Sequence, residues 1–156
     1  MIATLEGLPR TQRWVIGGYS LGGRIAAQVA ASPGVEALGV VALVCVAYPF
    51  HPIGAPGRQA AMKVLAASRV PALVVQGTRD AFGNREQVRG YRLGSETALC
   101  WLEGAKHGLR TQAGTKPRAD LRGEDPLQVG IRAIAEFVSG RSAVSARAAR
   151  PEEADR

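Results

Sequence analysis

Four apolar runs of strand length, Trp14–Gly18, Val40–Ala47, Ala72–Gly77 and Thr97–Leu102, alternate with stretches of helical pattern near Leu21–Ala31, Gln59–Ala67, Arg85–Tyr91 and Leu127–Val138. Strands joined through helices run parallel, because each crossover returns the chain to the starting edge of the sheet. A parallel sheet must be covered on both faces, which is why its strands read as near-continuous apolar runs. The expectation is an α/β fold: a parallel sheet of about four strands with helices on both faces. With 46% hydrophobic residues in a length of 156, one domain has apolar surface enough for a core.

Between the first run and the first helical stretch lies Gly18-Tyr19-Ser20-Leu21-Gly22, and Ser32-Pro33-Gly34 closes the helix that follows. The order strand, tight turn, helix suits a nucleophilic serine. The turn lifts the hydroxyl clear of the sheet, and a Cβ at either flanking glycine is expected to collide with the neighbouring strand or helix. A glycine-rich turn of any doubly wound protein carries the same letters, so the pattern gains meaning from an acid and then a histidine downstream. Both are present: one strand breaks at Gly77-Thr78-Arg79-Asp80, the next at Glu103-Gly104-Ala105-Lys106-His107. Loops after parallel strands gather at one edge, so Ser20, Asp80 and His107 are expected to converge there. His107 would take the hydroxyl proton as general base, and Asp80 would hold the imidazole tautomer and stabilise the imidazolium. Of the two histidines, His51 precedes Asp80 and lies between Pro49 and Pro52, which favours His107 as the base. Asp120 and Asp125 come after His107 and break the order, and Glu86 falls on the following helix.

Taken together, Gly17-Gly18-Tyr19-Ser20-Leu21-Gly22-Gly23-Arg24, Tyr48-Pro49-Phe50-His51-Pro52, Gln76-Gly77-Thr78-Arg79-Asp80-Ala81-Phe82-Gly83 and Trp101-Leu102-Glu103-Gly104-Ala105-Lys106-His107 resemble the α/β-hydrolases grouped with NSL complex subunit three and testis-expressed protein thirty. The resemblance spans residues 13–138. It implies the α/β-hydrolase fold and carries the Ser-Asp-His triad onto Ser20, Asp80 and His107. It implies no particular substrate, because that group is named by fold, and some members are regarded as scaffold subunits. Tyr19 stands where a basic residue is expected and Lys106 where an acidic or small one is, departures that bear on pocket character. In that fold the elbow follows several earlier strands, whereas here it begins at residue 18. The chain is therefore expected to correspond to the C-terminal part of a hydrolase, with residues 1–12 a partial lead-in around Ile2–Leu5. One oxyanion donor, the backbone N–H of Leu21, is at hand, while the second normally comes from a loop after an early strand. Trp14–Gly18 would then be an exposed apolar edge, left by a truncated gene product or covered by a protein partner or by self-association.

Cys45 and Cys100 fall in predicted strands, where a free thiol packs as a small hydrophobe, and neither has a ligand at metal-binding spacing. No metal and no cofactor is expected. The formal charge of +7 is spread along the chain apart from Arg110–Arg122 and Arg141–Arg156, and no nucleic-acid recognition motif accompanies it, so these residues are read as solvated. The loop after His107 borders the expected site and is long enough to form a rim. Residues 141–156, ending in Pro151-Glu152-Glu153-Ala154-Asp155-Arg156, are read as a disordered tail, leaving 13–140 as the domain. The longest apolar run is too short to span a bilayer and no secretory pattern opens the chain, so a cytoplasmic setting away from membranes is expected. Tyr19, Tyr48, Phe50 and Phe82 are candidate pocket residues; Tyr48 and Phe50 either wall an acyl or alcohol site or stiffen a crossover that covers the core. The function expected is a serine hydrolase cleaving a small ester, thioester or amide through an acyl-enzyme. The alternative is a non-catalytic interaction or scaffold module on the same fold.

Overall fold

The computed structural model describes residue 7 and residues 12–58, 60–111 and 125–148, with side chains up to residue 140. Its elements are β1 (Trp14–Tyr19), α1 (Leu21–Ala30), a 3-10 turn (Glu36–Leu38), β2 (Val40–Val46), α2 (Ala60–Ala66), β3 (Ala72–Gly77), α3 (Arg85–Arg89), β4 (Thr97–Leu102) and α4 (Pro126–Ala148). The strands form one sheet in the order β1-β2-β3-β4, every neighbouring pair parallel. This is the expected α/β architecture, with the expected strands and the expected rhythm.

Burial follows position in the sheet. β3 is buried along its whole length, as a central parallel strand of Val, Leu and Ala should be. Its residues alternate between two cores. Ala72 and Val74 face a cluster with Ala26, Ala27 and Ala30 of α1, Leu65 of α2 and Val88 of α3. Leu73 and Val75 face the other way, into a cluster with Leu102 and the α4 residues Val129, Ala133, Ile134 and Phe137. Helices therefore cover both faces, α1, α2 and α3 on one and α4 on the other. The alanines of α1 matter because a helix with small residues on its inner face can approach the strands closely. At the edge, β1 is covered on one face: Trp14 and Ile16 pack into the α1 core, whereas Val15 is 38% exposed and Tyr19 50% exposed.

Parallel register places the strand ends in one row. Tyr19 pairs with Val46, Val46 with Val75, and Val75 with Cys100, so the loops that follow leave from the same edge. Ser20 follows β1 directly, Asp80 lies in the loop after β3, and His107 in the loop after β4.

The C-terminus differs from the sequence expectation. α4 continues through residues 141–148, where a disordered tail was expected. Arg141-Ser142-Ala143-Val144-Ser145-Ala146-Arg147-Ala148 lacks apolar periodicity, but Ala and Arg are strong helix formers and no glycine or proline interrupts the segment. A segment without an amphipathic stripe keeps its helix propensity. Residues 149–156, most of 1–12 and residues 112–122 of the basic loop lie outside the described residues. Among the described residues no helix is long and apolar enough to cross a membrane.

Candidate active site

Ser20 takes φ 50° and ψ −118°, a backbone state that costs a non-glycine residue on the order of 1–3 kcal/mol. Two backbone bonds hold it: its N–H donates to the Val46 carbonyl at 2.9 Å, and its own carbonyl accepts the Arg24 N–H at 3.2 Å, opening α1. The steric reason for the glycines is only half as expected. A Cβ on Gly18 would lie 2.5 Å from the Gly22 carbonyl carbon and 2.8 Å from the Gly23 nitrogen. A Cβ on Gly22 would meet nothing within 4 Å. The second constrained glycine is Gly23, whose Cβ would sit 2.9 Å from the Gly18 carbonyl oxygen. The helix folds back over β1 at Gly23, and Gly22 points outward.

The loops bearing Asp80 and His107 are fastened to each other. Thr78 N–H donates to the Leu102 carbonyl at 3.0 Å, Arg79 N–H to the Ala105 carbonyl at 2.9 Å, and Gly104 N–H to the Thr78 hydroxyl at 2.8 Å. A Cβ at Gly77 would fall 2.8 Å from the Ala105 carbonyl carbon, so a glycine is required where the loops touch. Asp80 is fully buried. Its Oδ1 accepts the Phe82 N–H at 2.9 Å, and its Oδ2 accepts the Gln76 side-chain amide at 3.0 Å. A buried carboxylate is tolerable only with such donors around it.

The three sequence-predicted side chains meet. His107 Nδ1 lies 2.9 Å from Asp80 Oδ2, and His107 Nε2 lies 2.9 Å from Ser20 Oγ. An acceptor-only carboxylate at Nδ1 places the proton there, which leaves Nε2 with a lone pair toward the serine hydroxyl. The imidazole is flanked by aromatic rings, Phe82 at 4.5 Å and Tyr19 at 5.6 Å between centroids. The Tyr19 hydroxyl also donates to the His107 carbonyl at 2.7 Å, so Tyr19 anchors the histidine loop. The N–H of Leu21 belongs to the first turn of α1, where backbone donors have no partner within the helix.

A family model described as an alpha/beta hydrolase domain matches residues 1–139. The chain belongs to that family. Among solved structures, it is similar to an alpha-beta serine hydrolase homologue from Coxiella burnetii at 27% identity, with a TM-score of 0.46 over 60% of this chain and 40% of that one. It is also similar to the esterase domain of a Rhodothermus marinus protein at 17% identity, with a TM-score of 0.41 over 60% of this chain and 52% of that one. The hydrolase-fold chain thus spans less than two thirds of the length of either. Among curated proteins none matches.

Other sequence candidates fall elsewhere. Tyr48 and Phe50 are fully buried, which corrects their reading as pocket residues: the Tyr48 hydroxyl donates to the Ala61 carbonyl at 2.7 Å and its ring meets Phe50 edge-on at 5.1 Å. They stiffen the crossover between β2 and α2. His51 is buried against the Pro52 carbonyl and the Gln87 side chain, which holds it within that crossover. Asp125 caps α4 by accepting the Leu127 N–H at 3.0 Å, and Asp120 lies outside the described residues. Burial pushes the Cys45 thiol up to about 12, and its Sγ lies 3.5 Å from the Gly23 carbonyl, so this cysteine is a packing group. Three residues around the site escaped sequence reasoning: Gln76, Thr78 and Gly23. Only Gln76 left a legible signal, a lone amide inside the apolar strand Ala72-Leu73-Val74-Val75-Gln76-Gly77.

Proposed function

We infer that this chain is a serine hydrolase that cleaves a small ester, thioester or amide through an acyl-enzyme. Ser20 is the nucleophile, His107 the general base and then the general acid, and Asp80 the residue that orients the imidazole. The reading rests on one observation, the unbroken chain of 2.9 Å contacts from Asp80 Oδ2 through both nitrogens of His107 to Ser20 Oγ. As Ser20 attacks a carbonyl, its proton passes to His107 Nε2 and negative charge gathers on the carbonyl oxygen. The Leu21 N–H, one residue past the nucleophile, donates to that oxygen. Collapse of the tetrahedral species expels the leaving group with the proton from His107, and water repeats the sequence to free the serine. Tyr19 and Phe82 flank the imidazole and form the rim met by the acyl or leaving group. Within the family, the four stretches named above favour the group of NSL complex subunit three and testis-expressed protein thirty, and we place its work in the cytoplasm.

A second reading, a module that binds a protein partner or a second copy through the β1 edge, is favoured by the apolar surface there: Val15, Tyr19 and, on α1, Leu21 and Ile25 are all exposed. Labelling by a fluorophosphonate, located by peptide mapping, separates the two. Covalent labelling of Ser20 that disappears in Ser20→Ala and His107→Ala supports the hydrolase. A folded protein left unlabelled counts against it and moves the binding module ahead.

A further inference from the structure

Gln76 is fully buried at the end of β3, and its Nε2 is ringed by three oxygens: the Asp80 carboxylate Oδ2 at 3.0 Å, the Gly83 carbonyl at 3.1 Å and the Tyr48 carbonyl at 3.2 Å. Its Oε1 is buried with no hydrogen-bond partner among the described residues. These facts determine the amide's orientation. Turned over, the side chain would point Oε1 at three acceptors, an arrangement worse than one unpaired carbonyl. Two carbonyls already suffice for two N–H groups, so the third contact is not needed to satisfy Gln76 itself. It goes to the one oxygen of Asp80 that also meets His107 Nδ1.

We propose that Gln76 is a positioning residue for the proposed hydrolase site: it fixes the rotation of the Asp80 carboxylate so that Oδ2 faces His107, and it ties that carboxylate to the crossover at Tyr48. The Phe82 N–H holds Oδ1 from the other side, so the two donors clamp the carboxylate at both oxygens. Without Gln76, Oδ2 keeps only the histidine as donor, and the carboxylate can turn away from it. Misplacement of the acid is then felt at Ser20 through the imidazole, although Gln76 touches neither. The proposal rests on the Ser20, His107 and Asp80 assignment.

Its test combines two readouts in the full chain: the pH profile of the Ser20 labelling rate with a fluorophosphonate, and the proton resonance of His107 Nδ1–H, which needs no reactivity at all. In Gln76→Met the labelling rate is expected to fall about tenfold to a hundredfold and the resonance to move or broaden. In an Asp80→Asn background the same substitution should add less than about twofold, because Gln76 acts through Asp80. Labelling and resonance both unchanged in Gln76→Met, or two substitutions whose effects simply multiply, would overturn the proposal. Wild-type protein that is never labelled, but whose His107 resonance moves on Gln76→Met, sinks the hydrolase reading and leaves the positioning role standing. Should Gln76→Met fail to fold, Asp80→Asn alone decides: the Gln76 side-chain amide resonances must shift, and their constancy would refute the contact.

Discussion

Gly18 and Gly22 bracket the same serine, yet alanine at the two positions should move stability in opposite directions. At Gly18 the new methyl would stand 2.5 Å from the Gly22 carbonyl carbon and 2.8 Å from the Gly23 nitrogen. Both are backbone atoms of a helix packed on the core, so they cannot swing aside as a side chain would. Overpacking of that kind costs about 1–3 kcal/mol. At Gly22 nothing lies within 4 Å, and the residue is in the first turn of α1 without a positive φ. There alanine removes unfolded-state freedom and improves helix propensity, a gain of about 0.5–1 kcal/mol. The variants should therefore differ by about 1.5–4 kcal/mol, and with a urea dependence of about 2 kcal/mol/M their midpoints should be about 0.75–2 M apart, Gly22→Ala above wild type and Gly18→Ala below it. Urea titration followed by far-UV circular dichroism measures this directly. If Gly22→Ala lost as much stability as Gly18→Ala, the argument from contact distances would fail, and the two glycines would share a single cause absent from the packing described.

Gly77→Ala should push apart the loops that carry Asp80 and His107, lowering Ser20 labelling by about a hundredfold while the sheet still forms, as labelling rate and circular dichroism together would reveal. Tyr19→Phe removes one partly exposed hydrogen bond to the His107 carbonyl, so stability should fall by only about 0.5 kcal/mol, while labelling slows as the histidine loop loosens; an unchanged rate would leave Tyr19 no anchoring role. The Cys45 thiol, ordinarily near 9.0, is pushed up to about 12 by burial, and burial raises the Tyr48 hydroxyl as well. The folded state therefore retains the Cys45 proton that the unfolded chain gives up. This contribution to stability is constant below about pH 9 and is lost as pH rises from there toward 12. Chemical denaturation across that range should give a falling midpoint, with a shallower fall in Cys45→Ala.

The sheet was legible in the sequence because a buried parallel strand announces itself twice, by its β-branched apolar run and by the turn that ends it. All four strands lie within a residue or two of where the runs place them. Convergence of Ser20, Asp80 and His107 was legible for a topological reason, since register in a parallel sheet puts every following loop at one edge. The limits of that reasoning appear at particular residues. Tyr48 and Phe50 sit in a loop on the expected edge, but an edge does not say whether a ring turns outward or inward, and both turned inward. Gly22 belongs to the motif by letter, whereas Gly23 carries the steric load, because contact between a strand and the helix folding back on it is a matter of three dimensions.

What the amino-acid sequence determines unaided is periodic and local: strand length, helix propensity, the tight turn at Ser20, and the chain order of Ser20, Asp80 and His107. Tertiary structure alone decides what surrounds those groups. Three oxygens around the Gln76 amide come from Tyr48, Asp80 and Gly83, and the Thr78 hydroxyl reaches the loop of a different strand. The Tyr48 and Thr78 contacts join segments 28 and 26 residues apart, and those to Asp80 and Gly83 depend on how the loop after β3 folds back on its own strand, which no local pattern encodes, so the position of Asp80 is written in the packing.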